Sequence, residues 1–577
     1  MRWGLFIILL IASPVFAKQG TITLLAVSEE SPVLEGDIAT LYLETRPGTG
    51  HVFLETFPLS KADTQISMRF AKQVACSKLP INCDTYDFIF TLRANSAVIS
   101  GPSAGAAAAV LTYAVLSDLP IAKDVTITGT INSGGIIGGV GGIRQKIDAA
   151  STSGITTVLI PLGKGMLKDQ NKSIDLFDYG KNKNIKVIEV KDFEEAIIYI
   201  TGKKIEQPNI TLNIDNLYQS LMKNISFDLC KRASLLEQQY LTTGEEIDLN
   251  KLSFFNQAKQ ADTASQHAFE NGDYYSAASF CFRKGISYHY LYLDHKNFSE
   301  SKIKLTAWKL RKQSKKFGDY INTRNISTIT DLQTFIIVSE RITETLGTVD
   351  EILKMTHNNS QTYQIAQATE RLESAIVWSR FFNKGGTNYL VNNVSLKASC
   401  EDKIREAQER YQYVQIYIPR TLETIKKGIE YAGEDLFAGR FELCLSKASK
   451  AKAEADVIIS VIGSDASQLP KIIENKLQVA KRSIHEAQQK GIFPILGFSY
   501  YQFANSLATT EPQTAMLFAE YAIEFSNLDM YFQKQTPQMY PTGIFDLFSD
   551  EIFSYIPWAL GGIILALLVI TSQTPRA

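Results

Sequence analysis

Histidine is scarce in this chain, six in 577 residues, and only His51 falls where strand patterns occur. The other five, His267, His289, His295, His357 and His485, are scattered through helical sequence, and no His/Cys/Asp/Glu cluster has zinc spacing. A zinc-dependent hydrolase is therefore not expected. Basic excess is absent too: 59 Lys and Arg stand against 60 Asp and Glu, a formal net charge of −1. Nothing is in surplus to neutralise a phosphate backbone, so nucleic acid is not an expected partner. With 35 Gly, 17 Pro, 45% hydrophobic and 21% charged residues, the chain is neither collagenous nor mucin-like nor largely disordered. At roughly 150 residues per domain the length allows three or four folded units.

Long uncharged apolar runs stand at the two ends. Residues 1–17, MRWGLFIILLIASPVFA, place Arg2 before a short apolar stretch and end on Val15-Phe16-Ala17, with small residues at −3 and −1 of a cleavage site. That run is too short to span a bilayer and reads as a secretory signal. Ile552 to Ser572 is 21 residues without a charge, the length of a transmembrane helix. Asp546, Asp550 and Glu551 precede it and Arg576 follows, which places the tail 573–577 inside. The expected topology is single-pass type I, with an exported body and a membrane anchor. Gly562 and Ala566 form a small-xxx-small pair in the anchor, a hint of helix pairing and hence of a homo-oligomer.

Cysteine is sparse and even in number, six in all. Cys76 and Cys83 lie close enough in sequence to bridge in an oxidising compartment. Cys230, Cys281, Cys400 and Cys444 fall in helical sequence and read as buried thiols.

The body divides by pattern. Residues 18–204 mix β-branched runs (Thr21–Val27, Asp87–Leu92, Val125–Thr128, Thr157–Ile160) with helical stretches near 62–77, 103–118, 142–153 and 192–201. This is an α+β domain. From 205 to 551 the strand signals vanish and helical spacing takes over. Three stretches there, 261–286, 432–451 and 498–525, read as helical hairpins packed on small residues. Their spacing is too irregular for a fixed 34-residue tetratricopeptide repeat, so an all-α bundle is expected.

Chemistry concentrates between residues 87 and 160. Gly101-Pro102-Ser103-Ala104-Gly105 opens a run of small residues leading into a helix. Gly and Pro hold a tight turn, the small neighbours let a substrate backbone approach Ser103, and a helix N-terminus offers N–H groups to a developing oxyanion. Lys146 lies 43 residues further on, near the start of a helix carrying Ile143, Ile147 and Ala150. A lysine can deprotonate a serine only when neutral, which requires an apolar, desolvated setting.

Gly101-Pro102-Ser103-Ala104-Gly105, Thr128-Gly129 and Gly141-Gly142-Ile143-Arg144-Gln145-Lys146-Ile147, at this spacing, resemble the proteolytic domain of the Lon family. Ala149-Ala150 and Gly154 to Pro161 continue the likeness, and Asp87 to Leu92 resembles the strand before the serine loop. The resemblance implies Ser103 as nucleophile, Lys146 as general base of a Ser–Lys dyad, and Thr128 as the residue that positions the lysine amine. Gly101, Pro102, Ala104 and Gly105 would shape the serine loop.

Departures from the family pattern are equally specific. The acidic residue three before the serine is Ser100 here, the His-rich strand reads Phe88-Ile89-Phe90, and no Gly-x-x-x-x-Gly-Lys-Ser/Thr occurs. The wording is closer to exported, membrane-anchored Lon-like proteases that work without ATP, although the PDZ domain usual among those is not found. An exported Lon-like domain followed by a long helical region also resembles archaeal cell-surface proteins.

Gly101-x-Ser103-x-Gly105 also fits the nucleophile elbow of α/β-hydrolases, but every histidine after Ser103 lies in helical sequence, outside the strand–helix units that fold needs. The reading that results is an ATP-independent serine endopeptidase needing no cofactor, acting on unfolded or flexible protein segments. A catalytically silent Lon-like surface scaffold is its alternative.

Overall fold

The computed structural model describes residues 17–28, 35–99, 101–169, 172–204, 210, 212, 216–244, 248–354, 360–418 and 422–535. The signal segment 1–16, Ser100 and the apolar segment 552–572 lie outside the described residues. Among the described residues no helix is long and apolar enough to cross a membrane.

Alternation builds the first sheet. Strands β1 (Lys18–Ser28), β2 (Glu35–Pro47), β3 (Val52–Ser60) and β4 (Tyr86–Ile99) lie in the order β1-β2-β4-β3. β1–β2 and β2–β4 are antiparallel, and β3–β4 is parallel. Ala39, Leu41 and Leu43 of β2 and Phe88, Phe90 and Leu92 of β4 point to one face at the two-residue period of a strand. That face is covered by α1 (Ala62–Ser77), through Met68, Ala71 and Val74, and by α2 (Gly105–Leu116). Every residue of α2 is buried, as a helix with no polar face must be.

The chain then makes a short strand β5 (Val125–Ile127), a small hairpin β6 (Thr130–Ile131) and β7 (Ile137–Gly138), and helix α3 (Ile143–Ser151). Next come β8 (Thr157–Pro161), the β9–β10 hairpin (Met166–Asp169, Lys172–Asp175), α4 (Leu176–Lys181), β11 (Lys186–Val190) and α5 (Phe193–Thr201). β5, β8 and β11 form a parallel sheet in the order β11-β8-β5. α3 packs into a second core with Ile143, Ile147 and Ala150 against Val158, Ile160 and Leu25.

Beyond α5 the described residues are helices, short 3-10 turns and isolated bridges. The first six helices are α6 (Asn216–Leu241), α7 (Leu249–Glu270), α8 (Tyr274–His295), α9 (Glu300–Asn322), α10 (Ile329–Lys354) and α11 (Ser360–Trp378). The rest are α12 (Asn393–Tyr417), α13 (Glu423–Phe437), α14 (Phe441–Val461), α15 (Leu469–Gln489), α16 (Ile495–Leu507) and α17 (Pro512–Ser526). The three expected hairpins are α7–α8, α13–α14 and α16–α17. The first two turn on Gly272 and Gly439 at positive φ. All of this belongs to one compact unit ending at Gln533; the second unit, Lys534–Ala577, is described only at 534–535.

The cysteine reading needs correcting. Cys76–Cys83 is bridged, but so are Cys230–Cys281 and Cys400–Cys444, and no free cysteine remains among the described residues. The four read as thiols tie α6 to α8 and α12 to α14, across 51 and 44 residues of sequence. Each pair lies on two helices that run parallel with a third between them in sequence, as the further contacts Glu237–Lys284 and Arg410–Asp456 show, and local sequence cannot reveal that pairing. A Cys230→Ala/Cys281→Ala chain is expected to melt lower. It should lose up to about 4 kcal/mol, the chain-entropy value for a loop of that length. Thermal unfolding followed by circular dichroism, with and without reductant, checks this.

Candidate active site

Three segments converge. Gly101 takes φ +99°, a backbone open to glycine and strained for other residues. The turn Pro102–Ala104 follows and runs directly into α2. The turn is tied down on both sides. Gly101 N donates to Asp63 Oδ2 of α1 at 2.8 Å, and Ser103 O accepts from Gly129 N at 3.0 Å. Gly129 O in turn accepts from Ala106 N at 3.1 Å. The serine loop is thus stitched by two backbone hydrogen bonds to the residue that follows Thr128. Gly105 lies close to α1: a Cβ there would come within 2.9 Å of Ser67 Oγ, which would have to turn aside.

The lysine arrives from the other side. Gly142, at φ +66°, starts α3, and a Cβ there would lie 2.5 Å from Val27. One turn on, Lys146 is 3% exposed. Its Nζ donates to Thr128 Oγ1 at 2.9 Å, and Thr128 is itself buried at the end of β5, its N–H on Leu159 O. Burial lowers the Lys146 pKa from its ordinary 10.5 to about 7, with no neighbouring charge contributing. The ionised form is penalised because nothing anionic compensates it. A neutral amine that gives one N–H to Thr128 keeps its lone pair for another proton.

Ser103 is half-buried, so its hydroxyl can be reached from solvent while the Lys146 amine stays dry. Its hydroxyl makes no hydrogen bond to Lys146 in this structure. Such contacts commonly close only around substrate. Of the residues singled out in the sequence, Lys146 and Thr128 touch directly, and Ser103 reaches them through Gly129. Gly101, Pro102, Ala104 and Gly105 form the loop.

Residues 65–200 match the Lon protease (S16) C-terminal proteolytic domain. The chain is 30% identical over 169 residues to the Lon protease of Trichlorobacter lovleyi, covering 28% of this chain and 20% of that protein. It is 26% identical over 172 residues to an archaeal Lon protease from Methanocaldococcus jannaschii, covering 28% and 25%. Against the Lon protease of Xanthomonas oryzae pv. oryzae it is 37% identical over 99 residues. The chain spans a fifth to a quarter of the length of the first two of these relatives. The likeness marks this part of the chain as a serine peptidase domain of Lon type.

Two features escaped the sequence. Asp63, which holds Gly101, sits in the first turn of α1 and carries no mark of that role. The Gly-rich stretch 134–142 has six glycines, more than one turn needs, and the excess was a readable signal of close approach. Helices of the second region press on it. A Cβ on Gly134 would lie 2.7 Å from Val479 and Ile523, and one on Gly141 2.2 Å from Tyr417 Oη.

Burying the Lys146 amine with a hydroxyl but no carboxylate beside it opposes folding. With pKa near 10.5 unfolded and about 7 folded, the unfolded chain binds more protons between those values, so stability rises with pH across that window. At pH 7 the penalty is roughly 4 kcal/mol. Lys146→Met, apolar and of similar length, is therefore expected to stabilise the chain by about 2 kcal/mol after the lost bond to Thr128. Denaturant unfolding of parent and variant at pH 7 and pH 9 measures this, and the gain should shrink at the higher pH.

Proposed function

We propose that this protein is an ATP-independent serine endopeptidase of the extracytoplasmic membrane surface, with Ser103 as nucleophile and Lys146 as general base. One observation carries the reading: a buried lysine amine held by Thr128, with the next residue, Gly129, bonded to a serine turn at the start of a buried helix.

In the first step Ser103 Oγ attacks the scissile carbonyl carbon and its proton passes to Lys146 Nζ. The carbonyl oxygen becomes an oxyanion beside the first turn of α2, where we assign its stabilisation to the amides of Ser103 and Ala104. Collapse of the tetrahedral intermediate breaks the C–N bond, and Lys146 returns its proton to the leaving amine. Water then enters, gives a proton to the neutral amine, and its oxygen attacks the acyl carbon. The second collapse releases the new carboxyl end and restores the Ser103 hydroxyl with the proton held on Lys146.

Export is favoured by the pairing of all the described cysteines, since disulfides persist in oxidising compartments. The signal-like and anchor-like ends of the sequence favour it too. ATP independence rests on the missing phosphate-binding loop and on the scarcity of ATP outside the cell. Without an unfoldase module, the substrates would be unfolded or flexible segments. The scaffold alternative draws on the missing Ser103–Lys146 hydrogen bond.

Casein-peptide cleavage without ATP, by the full chain in detergent, is the test. Cleavage is expected to rise with pH through about 7 and level off above it, following the neutral form of Lys146. Ser103→Ala and Lys146→Ala should each lose at least about a thousandfold, by analogy with the loss of one member of a catalytic unit. Absent cleavage, with Ser103 also inert to an activated serine probe, would favour the scaffold.

A further inference from the structure

The loop that joins Thr128 to Lys146 does not end in solvent. Its backbone is gripped by the helical region at several points. Arg410 Nη2 of α12 donates to Ile131 O at 2.5 Å, and Tyr413 Oη of the same helix accepts from Gly141 N at 3.1 Å. Asn132 Nδ2 donates to Glu520 Oε1 of α17 at 2.7 Å, while Ser133 Oγ donates to Glu524. Ile136, at the hairpin, is part of the main helical core rather than of the peptidase core.

Three of the gripping side chains, Arg410, Glu520 and Glu524, belong to one buried ion cluster. Arg410 pairs with Asp456 at 3.0 Å and with Glu409 at 3.4 Å. Lys403 reaches Glu524 at 2.7 Å and Glu406 at 3.1 Å. Lys452 joins Asp456 at 3.1 Å and also Glu524, and Lys476 joins Glu520. Three carboxylates, Asp456, Glu520 and Glu524, stand close enough to share a metal ion. Lysines already occupy that space, so the cluster is an ion-pair network. Burying nine charged side chains is a poor route to stability, because well-packed apolar residues would do as well or better. What such a network supplies is placement: each carboxylate and cation fixes its neighbours in one arrangement.

We propose that Arg410, Tyr413, Glu520 and Glu524 are positioning residues for the catalytic base. By holding the hairpin between residues 130 and 141 they fix Thr128 at one end and the start of α3 at the other, and so the place of Lys146. The cluster reaches the serine side as well. Lys452 and Lys403 lie over the ring of Phe70, at 4.9 and 6.0 Å from its centre, on the helix whose Asp63 holds Gly101. The helical region therefore completes the active site in cis. This inference rests on the reading of Lys146 as base.

The test uses the full chain with Tyr413→Phe, Glu520→Gln and Arg410→Met, and Trp308→Ala on the exposed side of α9 as control. Two quantities are read: kcat and KM for peptide cleavage across pH, and the pKa of Lys146 from trace acetylation with acetic anhydride followed by mass spectrometry. The second needs no turnover. Tyr413→Phe deletes one oxygen and should fold even if Arg410→Met does not. Tyr413→Phe and Glu520→Gln are expected to lower kcat about tenfold with KM within twofold, and to raise the Lys146 pKa by about one unit, while Trp308→Ala matches the parent. Folded variants with the parent kcat and the parent Lys146 pKa, alongside an inactive Lys146→Ala, would overturn the positioning role alone. An active Lys146→Ala would overturn the dyad, and the positioning role with it.

Discussion

The proposed active site depends on an amine kept out of water with no counter-ion among the described residues. Several other buried lysines face carboxylates: Lys403 and Lys452 lie against Glu524, and Lys476 against Glu520. Lys146 has the Thr128 hydroxyl in that place, and Lys164 likewise is held by Ile462 O and Ser464 Oγ. A carboxylate in place of Thr128 would raise the lysine pKa and keep the proton in place; a hydroxyl orients the amine and leaves its affinity for protons low. Much of the surrounding architecture follows. α3 must sit deep enough to bury its fourth residue, β5 must end at Thr128, and the serine loop must reach both through Gly129.

In the proposed dyad, burial of one end constrains the other. Ser103 must remain accessible to a polypeptide, yet within reach of an amine that cannot move toward it without being hydrated. The structure resolves this with backbone rather than side-chain contacts. The Ser103 carbonyl and the Ala106 amide are both bonded to Gly129, so the turn keeps its place whichever way the hydroxyl rotates. Gly101 on Asp63 fixes the entry to the turn. Such contacts preorganise the nucleophile while leaving one torsion free to align with substrate.

Legibility in the sequence followed the range of the interactions. The α+β pattern, the strands around Leu24, Phe90 and Leu159, and helices α1, α2, α3 and α5 could be read locally, because alternation and helical spacing act over a few residues. Motif spacing picked out Ser103, Thr128 and Lys146, of which the structure sets Lys146 on Thr128 and ties the Ser103 turn to Gly129; the turns at Gly272 and Gly439 were visible through composition. The bridges of Cys230 with Cys281 and of Cys400 with Cys444 were not, since they depend on which helices become neighbours. Nor was the role of Asp63, an ordinary acidic residue in a first helical turn. The contacts between the helical region and the 130–141 hairpin were hidden for the same reason: nothing local to Arg410 or Glu520 says that they meet residues 131 and 132.

The charged character of that contact can be traced to the glycines themselves. A hairpin with glycine at 134, 135, 138, 139, 141 and 142 offers little apolar side chain to a partner. It presents carbonyls and amides, which must be hydrogen-bonded once water is excluded. Leucine or valine on α12 would leave Ile131 O and Gly141 N buried and unpaired; Arg410 and Tyr413 satisfy them. A buried guanidinium then requires carboxylates, supplied by Asp456 and Glu409, and the excess of acid around Glu524 requires Lys403 and Lys452. The close approach that glycine permits and the ion network that looks extravagant in a helical core are thus one feature. Hydrophobic packing tolerates sliding, whereas bonds to named backbone atoms define a position, and position is what a base with a single lone pair needs.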